Sequence, residues 1–495
     1  MVRILHLSDT HVTQTYHFNP EIFKRGMQLA STLSHDLAVH AGDITEHGFE
    51  SEYRLARELI NIPGMYFAIG NHDARNVGYT LFDKYFGSTH FTHVNGDVAC
   101  AGFDSTIPDI NEGRIGKHDI KRMREFLDEN SQRFKIVVFH HHLLPVPHSG
   151  RERGLLTDAG NVLKVILDYK ADLVLCGHRH SCNDYKIEDT IVVNSSTFSS
   201  FKTRAGDGNS FLYMQKKGSN FTMKRIDIAS GKTQEHSQHC TCSCFVPAAP
   251  REHRIVQISD THFGGSEFSR KVYELACKKI TSFSPDVVVH AGDITSDGLA
   301  SSYVAAEAGL GKIDAPLFVV PGARDGYHVG GELYYEYFPS ENKKIGRLNL
   351  IWADSVKFDE SEGYIGRRQL KEITGSIVPG MINVVVFHHH IVPVPYTRER
   401  DVLEDAGDVL KTLCGKVDII LNGSRHIAFS TTIDGTVIVN SNTLSSRHVN
   451  SRYGNTFNVI DVLENSSVVV KEVGAVSGVA RVLGVYSPLP PCIID

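Results

Sequence analysis

The chain has 495 residues, 41% of them hydrophobic, a normal fraction for globular cores but too much length for one ordinary domain. Lys and Arg number 51 against 57 Asp and Glu, a net charge of -6 with no long run of either sign, so duplex nucleic acid is not the default partner. No apolar run approaches the ~20 residues that span a bilayer, and Met1 to His11 runs straight into a strand-like segment with no cleavable signal. A cytoplasmic protein without a membrane segment is expected.

In chain order, Ile4-Leu-His-Leu opens as a strand and is followed by Asp9 and His11. A helix-length segment from Pro20 to Leu33 leads to a β-rich run, Asp36-Leu-Ala-Val-His, that ends at Gly42-Asp43. Glu50 to Ile60 has helix length, and Met65-Tyr-Phe-Ala-Ile ends in Gly70-Asn71-His72-Asp73. After a helical segment from Lys117 to Asn130, Lys135-Ile-Val-Val-Phe ends in His140-His141-His142, and Asp172-Leu-Val-Leu-Cys ends in Gly177-His178-Arg179-His180. Beyond Gly177 only strands are read, at Thr190 to Asn194, Ser210 to Gln215 and Phe221 to Ile226. Alternating strand and helix predicts an α/β fold with its functional residues at strand C-terminal ends. The later strands should complete a second sheet, giving a four-layer α-β-β-α sandwich.

The series then returns. Ile255-Val-Gln-Ile-Ser-Asp260-Thr-His262 repeats the opening, Val289-His-Ala-Gly-Asp293 repeats Val39-His-Ala-Gly-Asp43, and Val385-Val-Phe-His388 repeats Val137-Val-Phe-His140. Asn422-Gly-Ser424-Arg-His426 stands for Cys176-Gly-His178-Arg-His180. One domain has been duplicated. The expected organisation is two tandem sandwiches, 1–238 and 253–495, joined by a Cys- and Pro-containing linker at 239–252.

Cysteines number nine, an odd count. Cys100, Cys176, Cys277 and Cys414 sit in apolar patterns and read as buried thiols. Cys240, Cys242 and Cys244 lack the Cys-x-x-Cys spacing of zinc sites and read as linker, with soft-metal binding the alternative.

The polar residues that follow strands in the first copy are Asp9, His11, Asp43, Asn71, His72, His140, His178 and His180. Carboxylate, imidazole and amide donors suit borderline divalent metals such as Mn, Fe or Zn. Two such ions ~3.5 to 4 Å apart generate hydroxide at neutral pH and clamp an in-line displacement at phosphorus.

This order of motifs, Asp-x-His, Gly-Asp, Gly-Asn-His-Asp, His-His-x-x-Leu-Pro and Gly-His-x-His, resembles the calcineurin-like metallophosphoesterase superfamily over essentially the whole chain, and class III cyclic-nucleotide phosphodiesterases within it. The resemblance implies that Asp9, His11 and His180 hold one metal, that Asn71, His140 and His178 hold the other, and that Asp43 bridges them. It implies that His72 acts on the phosphate, by stabilising charge or protonating the leaving oxygen, with Asp73 orienting it. His141 is the fallback for His140 as ligand, and His141 and Arg179 are candidate substrate contacts.

The second copy keeps one metal set, Asp260, His262, Asp293 and His426, but carries Ala323, Arg324 and Ser424 in place of Asn71, His72 and His178. It is expected to be a pseudo-enzyme binding one ion or none, with Arg324 either replacing the missing positive charge or pairing with Asp325 at the surface. Members of this superfamily pair, so an intramolecular pseudo-dimer is expected. The expected activity is a dinuclear-metal phosphodiesterase on a small substrate such as a cyclic nucleotide. The alternatives are a nuclease or phosphomonoesterase of the same superfamily and, in a different class, a non-catalytic nucleotide-binding or scaffold module.

Overall fold

The computed structural model describes residues 1–240, 248–399 and 402–487, and the chain folds as two compact units that divide near residue 243. The first unit begins β1 (Val2–Leu7), α1 (Pro20–Ser31), β2 (Leu37–His40), α2 (Glu50–Leu59), β3 (Met65–Phe67) and α3 (Gly78–Phe86). It continues with β4 (Phe91–Asn95), β5 (Val98–Gly102), α4 (Gly116–Glu129), β6 (Phe134–Val138), α5 (Ala159–Asp168) and β7 (Leu173–Cys176). It ends with β8 (Asn183–Ile187), β9 (Thr190–Asn194), β10 (Ser210–Lys217), β11 (Asn220–Asp227) and β12 (Thr233–Cys240). The sheets run β12-β11-β10-β1-β2-β3 and β8-β9-β7-β6-β5-β4.

Strand alternation sets the layers. Leu5 and Leu7 of β1 pack with Phe23 and Met27 of α1, Tyr53 of α2 and Phe82 of α3. Ile4 points the other way and, with Val39, meets Ile136, Leu173 and Val193 of the second sheet. Strands β5, β6 and β7 pair in parallel, so their crossover helices α4 and α5 fall on one face, where they bury Met123, Leu127, Val162 and Ile166. The order is helix, sheet, sheet, helix, as expected.

The strands after Gly177 divide between the sheets instead of completing one. Strand β9, buried at every position, pairs in parallel with β7, whereas β10, with its more exposed outer half, returns antiparallel to β1. His239 and Cys240 belong to β12, which pairs with β11, and the next strand begins at Arg251. Cys240 is disulfide-bonded, so its sulfur is not a free metal ligand, and Cys242 and Cys244 lie outside the described residues. Cys100, Cys176, Cys277 and Cys414 are free thiols.

The second unit repeats the plan with β13 (Arg251–Ile258), β14 (Val287–Ala291), β15 (Leu317–Val320), β16 (Lys343–Ile345), β17 (Leu348–Trp352) and β18 (Ile382–Val386). There follow β19 (Ile419–Asn422), β20 (Phe429–Ile433), β21 (Thr436–Asn440), β22 (Thr456–Leu463), β23 (Val468–Gly474) and β24 (Ala480–Tyr486). Its sheet orders, β15-β14-β13-β22-β23-β24 and β16-β17-β18-β19-β21-β20, match those of the first unit strand for strand. Among the described residues no helix is long and apolar enough to cross a membrane.

Candidate metal centre

In the first unit the polar residues gather where β1, β2, β3, β6 and β7 end. Asp9, His11, Asp43, His178 and His180 all hold positive φ, between 48° and 73°. A β-carbon makes this region costly, by roughly 1–3 kcal/mol per residue, so five such residues around one point require the rest of the fold to hold them. Two glycines permit the crowding. A β-carbon on Gly70 would lie 2.1 Å from the Asp43 amide nitrogen, and one on Gly177 would lie 1.9 Å from Ser8 Oγ.

The imidazole nitrogens face one another. His11 Nε2 is 2.9 Å from His180 Nε2, while His11 Nδ1 lies 2.8 Å from Glu46 Oε2 and His180 donates from Nδ1 to the Lys202 carbonyl. Neutral rings so committed present two Nε2 lone pairs to each other. His140 likewise donates from Nδ1 to the Ala41 carbonyl at 2.8 Å, leaving Nε2 facing the acceptor Asn71 Oδ1 at 3.1 Å and Asp43 Oδ2 at 3.2 Å. His178 Nδ1 is 3.0 Å from the same Asn71 oxygen, and Asp9 Oδ1 is 3.3 Å from His180 Nε2. Electron pairs converging on two points are the arrangement a cation resolves, and the outward Nδ1 bonds are those that orient metal-bound histidines. Asp43 Oδ2 lies between the two sets, 3.7 Å from His11 Nε2 and 3.2 Å from His140 Nε2. The donor sets Asp9, His11, His180 and Asp43, His140, His178 therefore fit two ions.

The buried carboxylates make the centre a place where positive charge collects, as protons on the imidazoles or as cations. Burial opposes a charged imidazole, yet hydrogen bonds to Asp9 and Glu46 and the field of Asp43 hold His11 up at about 10. Burial is likewise outweighed by Asp43 at His140, which sits at about 9. The pocket favours positive charge. His72 differs: burial pulls it down to about 4, against the pull of Asp43.

Three expected roles differ in the structure. The Asp73 carboxylate does not reach His72; it accepts from the amides of Ile44, Thr45 and Gly70 and from Thr45 Oγ1, tying the β2 and β3 loops together. His141 neither ligates nor faces substrate, because its Nδ1 is bonded to Ser105 and its Nε2 to the Asn111 carbonyl. The buried Arg179 guanidinium is consumed by Ser149 and by the carbonyls of Arg151 and Arg153. Sequence reasoning missed Glu46, which braces His11 and meets Lys202 Nζ at 3.2 Å, and Asn111, which accepts from Asn71 and Arg75. The one signal for Glu46 was the duplication, where Ser296 replaces it.

In the second unit Asp260, His262 and His426 converge, as do Asp260, Asp293 and His388. His426 Nε2 lies 3.2 Å from Asp260 Oδ1, and His262 Nε2 lies 4.0 Å from Asp260 and 3.9 Å from Asp293, close to the 3.8 Å and 3.7 Å of His11 in the first unit. Ala323 offers no donor atom where Asn71 stands, and Ser424 offers a hydroxyl in place of the His178 imidazole. The Asp325 pairing expected of Arg324 is absent: Asp325 is fully buried and bound to the amides of Ile294, Thr295 and Gly322, while the Arg324 guanidinium lies 5.3 Å over the Tyr327 ring.

A cleft of about 700 Å³ opens over the first centre, lined by His11, Asp43, Asn71, His72, His178 and His180 below. Its upper wall carries Arg75, Arg151, Arg153, Lys202 and Arg204.

A family model described as calcineurin-like phosphoesterase matches residues 2–182 and 253–426. A probable cyclic nucleotide phosphodiesterase of Ruthia magnifica is 25% identical over 186 residues, 36% of this chain and 79% of its own length. A probable glycerophosphodiester phosphodiesterase of Arcobacter nitrofigilis is 27% identical over 179 residues, 33% of this chain and 63% of its own. Among solved structures, a purple acid phosphatase from yellow lupin seeds aligns with a TM-score of 0.39 and 13% identity, over 50% of this chain and 57% of its own.

Proposed function

Because the chain belongs to the calcineurin-like phosphoesterase family, which uses a dinuclear metal centre, we propose that its first unit is a phosphodiesterase acting on a small phosphoester through two divalent ions, and that its second unit is a pseudo-enzyme. The observation that carries the reading is the convergence of ligand atoms in the first unit: His11 Nε2 on His180 Nε2 at 2.9 Å, and His140 Nε2 on Asn71 Oδ1 at 3.1 Å. Asp9, His11 and His180 would hold one ion, Asn71, His140 and His178 the other, with Asp43 between them. Mn, Fe and Zn suit this donor set. Bound there, the ions supply Lewis acidity toward the phosphoryl oxygens and acidify water.

The remaining chemistry falls to side chains. With its basicity pulled down to about 4, His72 is neutral at pH 7, which favours hydrogen-bond donation to the phosphoryl or leaving oxygen over transfer of a full proton. Its Nδ1 lies 2.8 Å from the Glu46 carbonyl and 3.0 Å from Arg75 Nη1. The carbonyl only accepts and the guanidinium only donates, so these two neighbours favour opposite tautomers of the ring; the role on the phosphate needs the one with its proton on Nε2. The names of the relatives favour a diester, cyclic or open, over a monoester.

Manganese-dependent hydrolysis of an aryl phosphodiester tests the proposal. Asn71→Ala and His72→Ala should each lose at least ~100-fold in kcat, the scale of one lost electrostatic donor, whereas Asp260→Ala should keep its activity. Turnover retained by Asn71→Ala would remove the chemistry from the first unit, and a strong preference for monoesters would make the protein a phosphatase.

A further inference from the structure

The wall of the cleft carries more positive charge than one phosphodiester requires. Its lining includes Arg75, Arg151, Arg153, Arg179, Lys202 and Arg204 against the carboxylates Asp43 and Glu112, in a chain whose net charge is -6. Arg179 and Arg75 are committed within the protein. Arg179 is buried in its hydrogen bonds to Ser149 and neighbouring carbonyls, and Arg75 lies against His72 and Asn111. Lys202 meets Glu46 at 3.2 Å but keeps an exposed side chain, and Arg204 spends one nitrogen on the Ser149 carbonyl at 3.1 Å. Arg151, Arg153 and Arg204 are exposed.

These cations come from two separate loops. Arg151 and Arg153 lie between β6 and α5, and Lys202 and Arg204 lie between β9 and β10. The Arg204 bond to the Ser149 carbonyl draws the two loops together on one side of the metal-ligand floor. At rim positions 75, 202 and 204 the second unit, which has lost Asn71, His72 and His178, carries Tyr327, His448 and Asn450, while Arg398 and Arg400 stand for Arg151 and Arg153.

We propose that the substrate carries a second phosphate beside the scissile one, and that Arg204, with Lys202, Arg151 and Arg153, binds it on the rim of the cleft. The inference rests on the phosphodiesterase reading and narrows it to polyanionic substrates. A simple diester brings one negative charge, which the centre itself accommodates. A diester bearing a further phosphate or pyrophosphate brings two or more charges, with oxygens that guanidinium groups bind bidentately.

The test uses the full-length protein with Mn²⁺ and two chromogenic probes, thymidine 5′-(p-nitrophenyl phosphate) and the same compound with a 3′-phosphate, read by release of p-nitrophenolate. At low salt the phosphorylated probe should show a kcat/KM about 10-fold higher or more, the scale of one or two charge-assisted contacts. The ratio should shrink as salt rises and fall toward unity in an Arg204→Gln, Arg151→Gln double variant. Equal or slower cleavage of the phosphorylated probe overturns the inference and leaves the phosphodiesterase reading standing. A preference that survives the double variant overturns the assignment to these arginines. Hydrolysis of neither probe by protein that has bound manganese removes the reading and the inference together.

Discussion

At the scale of residues the duplication works as an internal control. Asp325 makes the same loop-tying bonds as Asp73 although Arg324 has replaced the neighbouring histidine, and His389 bonds Ser355 and the Ser361 carbonyl as His141 bonds Ser105 and the Asn111 carbonyl. Residues that persist with identical partners in a unit without the full ligand set serve the scaffold. Asp73→Ala and Asp325→Ala should therefore each lower stability by about 2–3 kcal/mol, because each strands several buried donors, and Asp325→Ala should leave turnover unchanged. Denaturant unfolding beside a diesterase assay checks both, and loss of turnover on Asp325→Ala would contradict the scaffold role. Glu46 is the opposite case, present only where the ligand set is complete. Glu46→Gln weakens the brace on His11 and should lower metal affinity by about 10- to 100-fold, read by titrating metal into the stripped protein; unchanged affinity would leave Glu46 without this role.

At the scale of elements, the strands that end in ligands were legible because buried parallel strands are nearly continuous apolar runs, broken where Asp, Asn or His takes over. Helix α5 escaped because Asp158, at its start, spends its carboxylate on the amides of Ile115 and Gly116 and caps nothing. Helix α3 escaped because Val77 precedes it without a capping side chain. Strand β12, Thr-Gln-Glu-His-Ser-Gln-His-Cys, has no apolar alternation and is a strand only through its pairing with β11, a tertiary cause invisible to local pattern. In the same way the ligands could be read from strand ends, whereas Glu46 and Asn111 reach the site through space. Strand β12 also carries a clasp. His236 and His239 both bind Asp184 of β8, whose carboxyl is held well below its usual range by the two imidazoles despite burial. His236 is raised to about 10, Asp184 and Cys182 outweighing burial. The His236 contribution is thus complete below its unfolded value of ~6.5 and lost as pH rises through about 10, and the Asp184 contribution is complete above ~4 and lost as pH falls. Asp184→Asn should cost about 2 kcal/mol between pH 4 and 6.5, and the cost should shrink toward pH 10. Urea unfolding of both proteins across pH measures it; a cost independent of pH would refute the clasp.

At the scale of the whole molecule, the second unit has lost ligands without losing the shape that held them. Ser424 keeps a φ of 78°, where His178 has 73°. The Arg324 amide donates to Asp293 Oδ1 at 2.8 Å, as the His72 amide donates to Asp43 Oδ1 at 2.8 Å. His388 donates to the Ala291 carbonyl at 2.8 Å, the counterpart of His140 and Ala41. The second unit holds this costly backbone where serine stands in place of histidine, so the sheets and loops set the geometry without an imidazole at this position. Restoring side chains alone should then restore the site. Ala323→Asn with Ser424→His should raise bound metal by about one equivalent per chain over the wild type at saturating Mn²⁺, measured by elemental analysis, because it completes the set around Asp293 and His388. Diesterase activity in an Asn71→Ala background should return only when Arg324→His is added, since the ion pair without a hydrogen-bond donor over the phosphate lacks the part assigned to His72. A folded double variant that binds no additional metal would show that the degeneration reaches beyond the three side chains, and Ser296, standing where Glu46 braces His11, would be the next position to restore.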